Sequence, residues 1–178
     1  NFQKLEPELL QRRSDPSHIQ ALMLFVQQGK SDEKNMLFAA IEIKNVIIDS
    51  YDLFAEARKS VNDSFLNGFR EQLLQLYFQP EIGNLSERVS ATISSALKQL
   101  VRREFPFLWP ELTDSIAAHL SSNNHRQNYL SLLILKQITK DYPSRMTTEE
   151  NLEELRLVTA KFHDLLIEFC QGYIGYLQ

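Results

Sequence analysis

Cysteine is nearly absent: Cys170 stands alone in 178 residues. One thiol cannot close an internal disulfide, so no bridged framework holds this chain, and the usage fits a reducing compartment. Glycine is scarce as well, at 5 residues, and no glycine-rich loop of the kind that cradles phosphate occurs. No stretch of any length alternates apolar and polar residues, which removes the strand signal and leaves an all-α fold class. No window of about eighteen apolar residues is free of charge, so no transmembrane helix and no membrane insertion are expected, and no signal peptide opens the chain. Positive charge is not in excess: 19 Lys and Arg stand against 23 Asp and Glu, for a net charge of −4. Direct nucleic-acid binding and adhesion to anionic lipid are therefore not expected, and a basic protein surface is the natural complement. The chain begins at Asn1 without a methionine and both ends fall inside helical patterns, so it reads as a segment of something longer.

What is present is apolar residues at helical spacing. A hydrophobic content of 43% with 24% charged residues describes a folded protein with a real core. After a truncated run around Gln3–Gln11, Asp15 and Pro16 have the chemistry of a helix cap and first position, and Gly29 that of a stop. Ile19, Leu22, Met23 and Val26 form the stripe between them. The next helix, about Asp32 to Ser50, carries Met36, Ala40, Ile43, Ile47 and Tyr51 on one side. Leu37, Ile41 and Ile48 widen that face until little is left for water. Ser60 and Asp63 have capping-box spacing ahead of Phe65, Leu66, Phe69, Leu73, Leu76 and Tyr77, and Pro80 closes that helix. Asn84 and Glu87 have cap spacing before Leu85, Val89, Ile93, Ala96, Leu97, Leu100 and Val101. Asn124 with Gln127, and Thr147 with Glu150, mark two more starts. The first of these helices runs through Tyr129, Leu133 and Ile138 to Tyr142-Pro143. The second carries Leu155, Val158, Phe162, Leu165, Phe169, Tyr173 and Leu177.

Grouped in twos, the helices repeat. First helices begin near residues 32, 84 and 124, a spacing of about 40 to 50 residues, as in a HEAT or armadillo-type solenoid whose units bury their apolar faces against one another. The expected architecture is a right-handed superhelix of antiparallel helix pairs; the alternative is a globular bundle of eight helices. The expected division of residues 1–178 is 1–30 for a truncated first repeat, then 31–80, 81–122 and 123–178.

The most specific chemistry lies at Glu104-Phe105-Pro106-Phe107-Leu108-Trp109-Pro110-Glu111-Leu112, with the single tryptophan between two prolines. Pro106 cannot continue a helix and disfavours helical geometry at Phe105, while Pro110 suits the first turn of a new one. Phe105, Phe107 and Trp109 supply three anchors to set the angle of a helix–corner–helix joint. Trp109, Leu112, Ile116 and Leu120 then line the following helix. This joint resembles the "FP..WP.L" signature in the third HEAT repeat of importin-β-type karyopherins. Ala39-Ala40-Ile41-Glu42-Ile43-Lys44-Asn45-Val46-Ile47 is similar to that family's "A…LKN.I" helix, and Gln127–Lys140 sits where its fourth repeat begins. Order and spacing match over nearly the whole chain. The approach Gln79-Pro80-Glu81-Ile82 and the long fourth repeat look most like the importin eleven subgroup. Departures exist: Leu5-Glu6-Pro7-Glu8-Leu9-Leu10 replaces the usual start of repeat one, and Tyr51 stands where tryptophan is common.

The resemblance implies a nuclear transport receptor that shuttles between cytoplasm and nucleus. Its implied partners are the small GTPase Ran in its GTP form, protein cargo and nucleoporins, with no cofactor. In that family Ran faces the second helix of each early repeat, here about Pro16–Gln28, Ser60–Phe78 and Trp109–Ser121. Setting core positions aside leaves Gln20, Gln27, Asp63, Ser64, Asn67, Arg70, Glu71, Gln75, Asp114 and His119 as candidates. Taken singly each is an ordinary solvated helix residue; the expectation rests on the patch. Lys44 and Asn45 are expected to hold neighbouring loops by hydrogen bonds. Ran-GTP would change cargo affinity through superhelix curvature or competition, and linkage makes the coupling reciprocal.

Catalysis is not expected. His18, His119, His125 and His163 lie far apart without metal-ligand spacing. His163 and Asp164 are adjacent and expected to point to different sides of their helix. Cys170, beside Phe169, reads as a buried thiol rather than a nucleophile. Arg102 and Arg103, with Lys98, complement a helix C-terminus, the alternative being a contact with phosphate or acidic cargo. The functional alternatives are a HEAT scaffold of another kind, such as a phosphatase or trafficking subunit, or a cargo adaptor without Ran binding. With no further repeat to cover it, the last helix, Asn151–Gln178, is expected to expose apolar surface and promote self-association.

Overall fold

The computed structural model describes residues 11–13, 15–49, 51, 64–79, 85–141 and 149–176. Among these the regular structure is helical, with no strand, so the all-α class is met. The helices are α1 (Pro16–Gln28), α2 (Glu33–Asp49), α3 (Ser64–Phe78), α4 (Glu87–Glu104), α5 (Leu112–Leu120), α6 (His125–Asp141) and α7 (Glu149–Tyr176). The chain divides into two compact units between Leu100 and Val101, inside α4. No helix among the described residues is long and apolar enough to cross a membrane.

In the first unit, α1 packs on both α2 and α3. Its start is capped as its residues dictate: the Asp15 carboxylate accepts from the Ser17 N–H at 2.9 Å, and Pro16 takes the first position. Gly29 closes it with φ 58°, a left-handed conformation that a side chain would oppose. Ile19, Met23 and Val26 are buried, and Leu22 is half-buried. Asp32 caps α2 by accepting from the Asn35 N–H at 2.8 Å. Met36, Ala39, Ala40, Ile43, Val46 and Ile47 are buried, as is Tyr51 beyond the helix end. The expectation of a helix covered on nearly all sides is not met, because Phe38 is 58% exposed and Ile41 40%. On α3 the expected residues Leu66, Phe69, Leu73, Leu76 and Tyr77 are buried, with Phe65 half-buried. Tyr77 and Phe78 meet edge to face with centroids 5.1 Å apart.

At the start of α4, Ser86 supplies the cap, its hydroxyl accepting from the Val89 N–H at 3.4 Å and donating to Glu33 at 2.8 Å. The expected caps built on Ser60–Asp63, Asn84 and Thr147, and the stops at Pro80 and Tyr142-Pro143, lie outside the described residues. Val89, Ile93, Ala96, Leu97 and Leu100 keep the expected period and are fully buried. Gly68 sits inside α3, and a Cβ built there meets nothing within 4 Å. Gly68→Ala should therefore raise the unfolding free energy by about 0.5–1 kcal/mol, by removing backbone freedom from the unfolded chain. A urea titration measures it; a loss of stability would mean that this position is crowded.

The second unit opens on the proline corner. The N–H groups of Leu108 and Trp109 both donate to the Glu104 carbonyl, at 2.8 and 3.1 Å, and wrap the chain tightly around the end of α4. Phe105 and Trp109 turn inward and are each 4% exposed. Phe107, expected as a third anchor, is 70% exposed at the tip of the same turn, and Leu108 is 44% exposed. The Phe105–Pro106 peptide bond is cis. Pro110 precedes α5 rather than opening it, and its carbonyl accepts from the Thr113 hydroxyl at 2.9 Å.

Leu112, Ile116 and Leu120 bury the inner face of α5, which packs on α6 and α7. Asn124 caps α6 as expected, accepting from the N–H groups of Arg126 and Gln127 at 3.1 and 3.2 Å. The buried face of α6 is Asn128, Ser131, Ile134, Leu135 and Ile138. That face is rotated from the expected stripe: Tyr129 is 61% exposed, its ring carried outward one position from Asn128. On α7, Phe162 is buried and Val158, Leu165 and Phe169 are half-buried. The side chains of Leu155 and Tyr173, and residue Leu177, lie outside the described set. Cys170 is exposed, contrary to its expected burial, because one residue past Phe169 is about 100° further round the helix. His163 and Asp164 do meet, Nδ1 to Oδ1 at 3.1 Å, since both are exposed and free to turn toward each other. Leu152, Ile167 and Ile174 are 44%, 41% and 58% exposed, so α7 does present the expected uncovered apolar surface.

Candidate partner-binding surface

The candidate residues divide between the two units. In the first, Gln20 and Gln27 lie seven apart on α1, two helical turns, and so share a face with Leu24 between them. Gln20 and Leu24 are exposed and Gln27 is half-buried. On α3, Asn67, Glu71 and Gln75 recur every fourth residue and are all exposed. The Gln27 amide donates to the Gln75 amide oxygen at 3.1 Å and ties the two faces together. The result is one continuous strip of amides with a single carboxylate and one leucine. Primary amides both donate and accept, so such a strip meets a polar protein surface without demanding either sign of charge. It is a small part of the 20–30 residues a side that a stable interface uses, so it would work as part of a larger contact.

Arg70 does not belong to that strip. It is 5% exposed, and its guanidinium donates to the Asn67 amide oxygen at 3.0 Å. Its spacing placed it beside Asn67 and Glu71, but it lies on the inner edge of α3, next to buried Phe69. Asp63 and the side chain of Ser64 lie outside the described residues. Asp114 and His119 belong to the second unit, and both are engaged within it. Asp114 pairs with Lys161 of α7 at 2.8 Å, and His119 Nδ1 lies 2.7 Å from the Ser115 carbonyl one turn earlier. Arg102 and Arg103 are exposed in the last turn of α4, where cations offset the helix dipole.

Sequence reasoning missed a buried ion pair. Glu42 is 5% exposed on α2, and Arg13 reaches it through two parallel bonds, Nε to Oε2 at 3.0 Å and Nη2 to Oε1 at 3.1 Å. The side chains are 15% and 7% exposed, and Asp49 lies 3.9 Å from the same guanidinium. Asn45 donates to Glu42 Oε1 at 3.2 Å, so this bond serves the carboxylate on its own helix rather than a loop. Lys44 is half-buried. The available signal was a lone carboxylate on a broad apolar helix face, which burial permits only with a partner.

The chain is similar to an importin beta-like protein. The relative, an importin beta-like SAD2 homologue of Arabidopsis thaliana, is 25% identical over 162 residues. The match covers 90% of this chain and 15% of the relative, so the chain spans a small part of that protein's length. No protein-family model matches the chain, and no solved structure matches it. Among the described residues no group of three or more His, Cys, Asp or Glu side chains is placed to share a metal ion.

Proposed function

We propose that this chain is a stretch of HEAT repeats from a nuclear transport receptor, acting by binding rather than catalysis, with its α1–α3 strip contacting Ran in the GTP form. The observation that supports it most is the similarity to an importin beta-like protein over 90% of the chain, which takes in both the Lys44-Asn45 helix and the Trp109 corner. The helix pairs would stack as 1–30, 31–80, 81–122 and 123–178 into a superhelix. Gln20, Gln27, Asn67 and Glu71 would meet Ran, with Asp63 alongside and Asp114 and His119 extending the contact. Cargo and nucleoporins would bind other surfaces of the receptor, which would shuttle between cytoplasm and nucleus. Within the family the importin eleven subgroup is the nearest pattern. A Ran-bound state with different cargo affinity would make the two ligands reciprocally coupled.

The test is a titration of the chain with Ran loaded with GTP and with GDP at physiological salt. A preference of at least about tenfold for the GTP form is expected, equivalent to about 1.4 kcal/mol. Glu71→Lys with Gln20→Lys should abolish that preference while leaving the helix content unchanged. Reversing the charge at Arg70, which is 5% exposed, would instead disturb folding itself. Equal affinity for both nucleotide forms would remove the Ran assignment.

A further inference from the structure

The second unit holds a cavity of about 490 Å³ between the Ser121–Asn124 turn, the start of α6 and the later half of α7. Its size falls in the range of small-ligand sites, about 300–1,000 Å³. Leu120, Leu165 and Phe169 supply apolar wall. Asn128 lines it while only 8% exposed. One end of the Asn128 amide lies 3.2 Å from the Ser122 hydroxyl, whose single proton is shared with the His119 carbonyl at 2.7 Å and Gln127 Oε1 at 3.2 Å. The other end has no hydrogen-bond partner among the described residues. That end is not sealed from solvent, so water or a ligand in the cavity can serve it.

Two further features narrow the ligand. Glu168, at the mouth, is exposed and has no ion pair or hydrogen bond among the described residues. Lys161 of α7 is committed elsewhere, to Asp114 at 2.8 Å. The site thus combines an apolar wall, an amide with one end open to the cavity and an exposed carboxylate, with Ser121, Asn123 and His125 completing the lining. Gly172, on the same wall, leaves the space open, since a Cβ there meets nothing within 4 Å.

We propose that this cavity binds an α-ammonium group carrying a bulky apolar side chain and an adjacent carbonyl. The ammonium pairs with Glu168, the side chain enters between Leu120, Leu165 and Phe169, and Asn128 bonds the amide next to it. A peptide amide offers both a donor and an acceptor, so it suits the free end of Asn128 whichever atom faces the cavity. That chemistry has two sources, a free amino-acid derivative and the amino terminus of a protein chain that begins with a large apolar residue. The proposal uses residues of the second unit alone and does not depend on Ran binding.

Calorimetric titration with phenylalanine amide, and with a short peptide beginning with phenylalanine, tests it. Each is compared with its N-acetylated form, which keeps the ring and the carbonyl and loses the charge. Saturable binding of at least one free-amine probe is expected, weakened about tenfold or more by acetylation and by Glu168→Gln. Gly172→Leu should abolish binding by filling the chamber, whereas Gly172→Ala should retain it; circular dichroism checks that both keep their helix content. Binding of the peptide alone assigns the site to chain termini, and binding of both probes admits either source. Equal affinity for acetylated and free probes, unchanged binding in a folded Gly172→Leu, or no saturable binding at all would overturn the proposal.

Discussion

Trp109→Ala is expected to destabilise the second unit by about 3–5 kcal/mol, the range for removing a large buried aromatic side chain. Trp109 is 4% exposed, and its N–H is held by the Glu104 carbonyl that ends α4. Truncation leaves a cavity beside the joint between α4 and α5, and the tight turn prevents the chain from collapsing into it. Phe107→Ala is the paired control. It removes a comparable ring from the same turn, but a ring that is 70% exposed, so its effect should stay within about 0.5 kcal/mol. Urea unfolding followed by far-ultraviolet circular dichroism measures both, since Trp109→Ala removes the only tryptophan fluorophore. Equal losses for the two substitutions would show that the corner is not organised around the indole.

The second large effect is expected at Glu42. Removing its carboxylate takes both parallel bonds from the Arg13 guanidinium, which is 15% exposed and keeps Asp49 at 3.9 Å. Breaking one side of such a pair should cost about 3 kcal/mol, near the low end for buried pairs because Arg13 keeps some solvent and a second carboxylate. Replacing both partners by apolar residues of similar size removes the stranded charge. Glu42→Leu with Arg13→Met should therefore be more stable than Glu42→Leu alone. The difference from additivity in a double-mutant cycle is the interaction itself. Strict additivity would mean that the two bonds of the pair contribute nothing to holding residues 11–13 against α2.

Much of the helical layout was legible because its causes are local. Asp15, Pro16 and Gly29 each act on the backbone within one turn, so their residue types alone bound α1. The same holds for Asn124 at the start of α6. The period of Val89, Ile93, Ala96, Leu97 and Leu100 likewise needs no partner to be recognised, since residues three and four apart must share a face. The candidate strip was legible in part for the same reason: Asn67, Glu71 and Gln75 are polar at a spacing that keeps them together.

Where the reading failed, a single residue's rotation decided the outcome. Phe107 and Tyr129 each lie one or two positions from a buried residue and Cys170 beside half-buried Phe169, and hydrophobicity alone does not say which of several neighbouring residues faces inward. Arg70 was misplaced by the same step, as a long polar side chain at the margin of an apolar face can be buried or exposed according to what packs beside it.

The amino-acid sequence by itself determined that the described chain is helical, where α1 starts and stops and α6 starts, and which stripes of α1, α3 and α4 form its core. Those follow from backbone sterics, capping and periodicity, all of which act within a few residues. Only the tertiary structure decided that Glu42 is buried against Arg13 across 29 residues of chain, that Gln27 meets Gln75 across 48, and that Asn128 and Glu168 open on one cavity. Those depend on which helix faces lie opposite one another, and chain spacing carries no record of that.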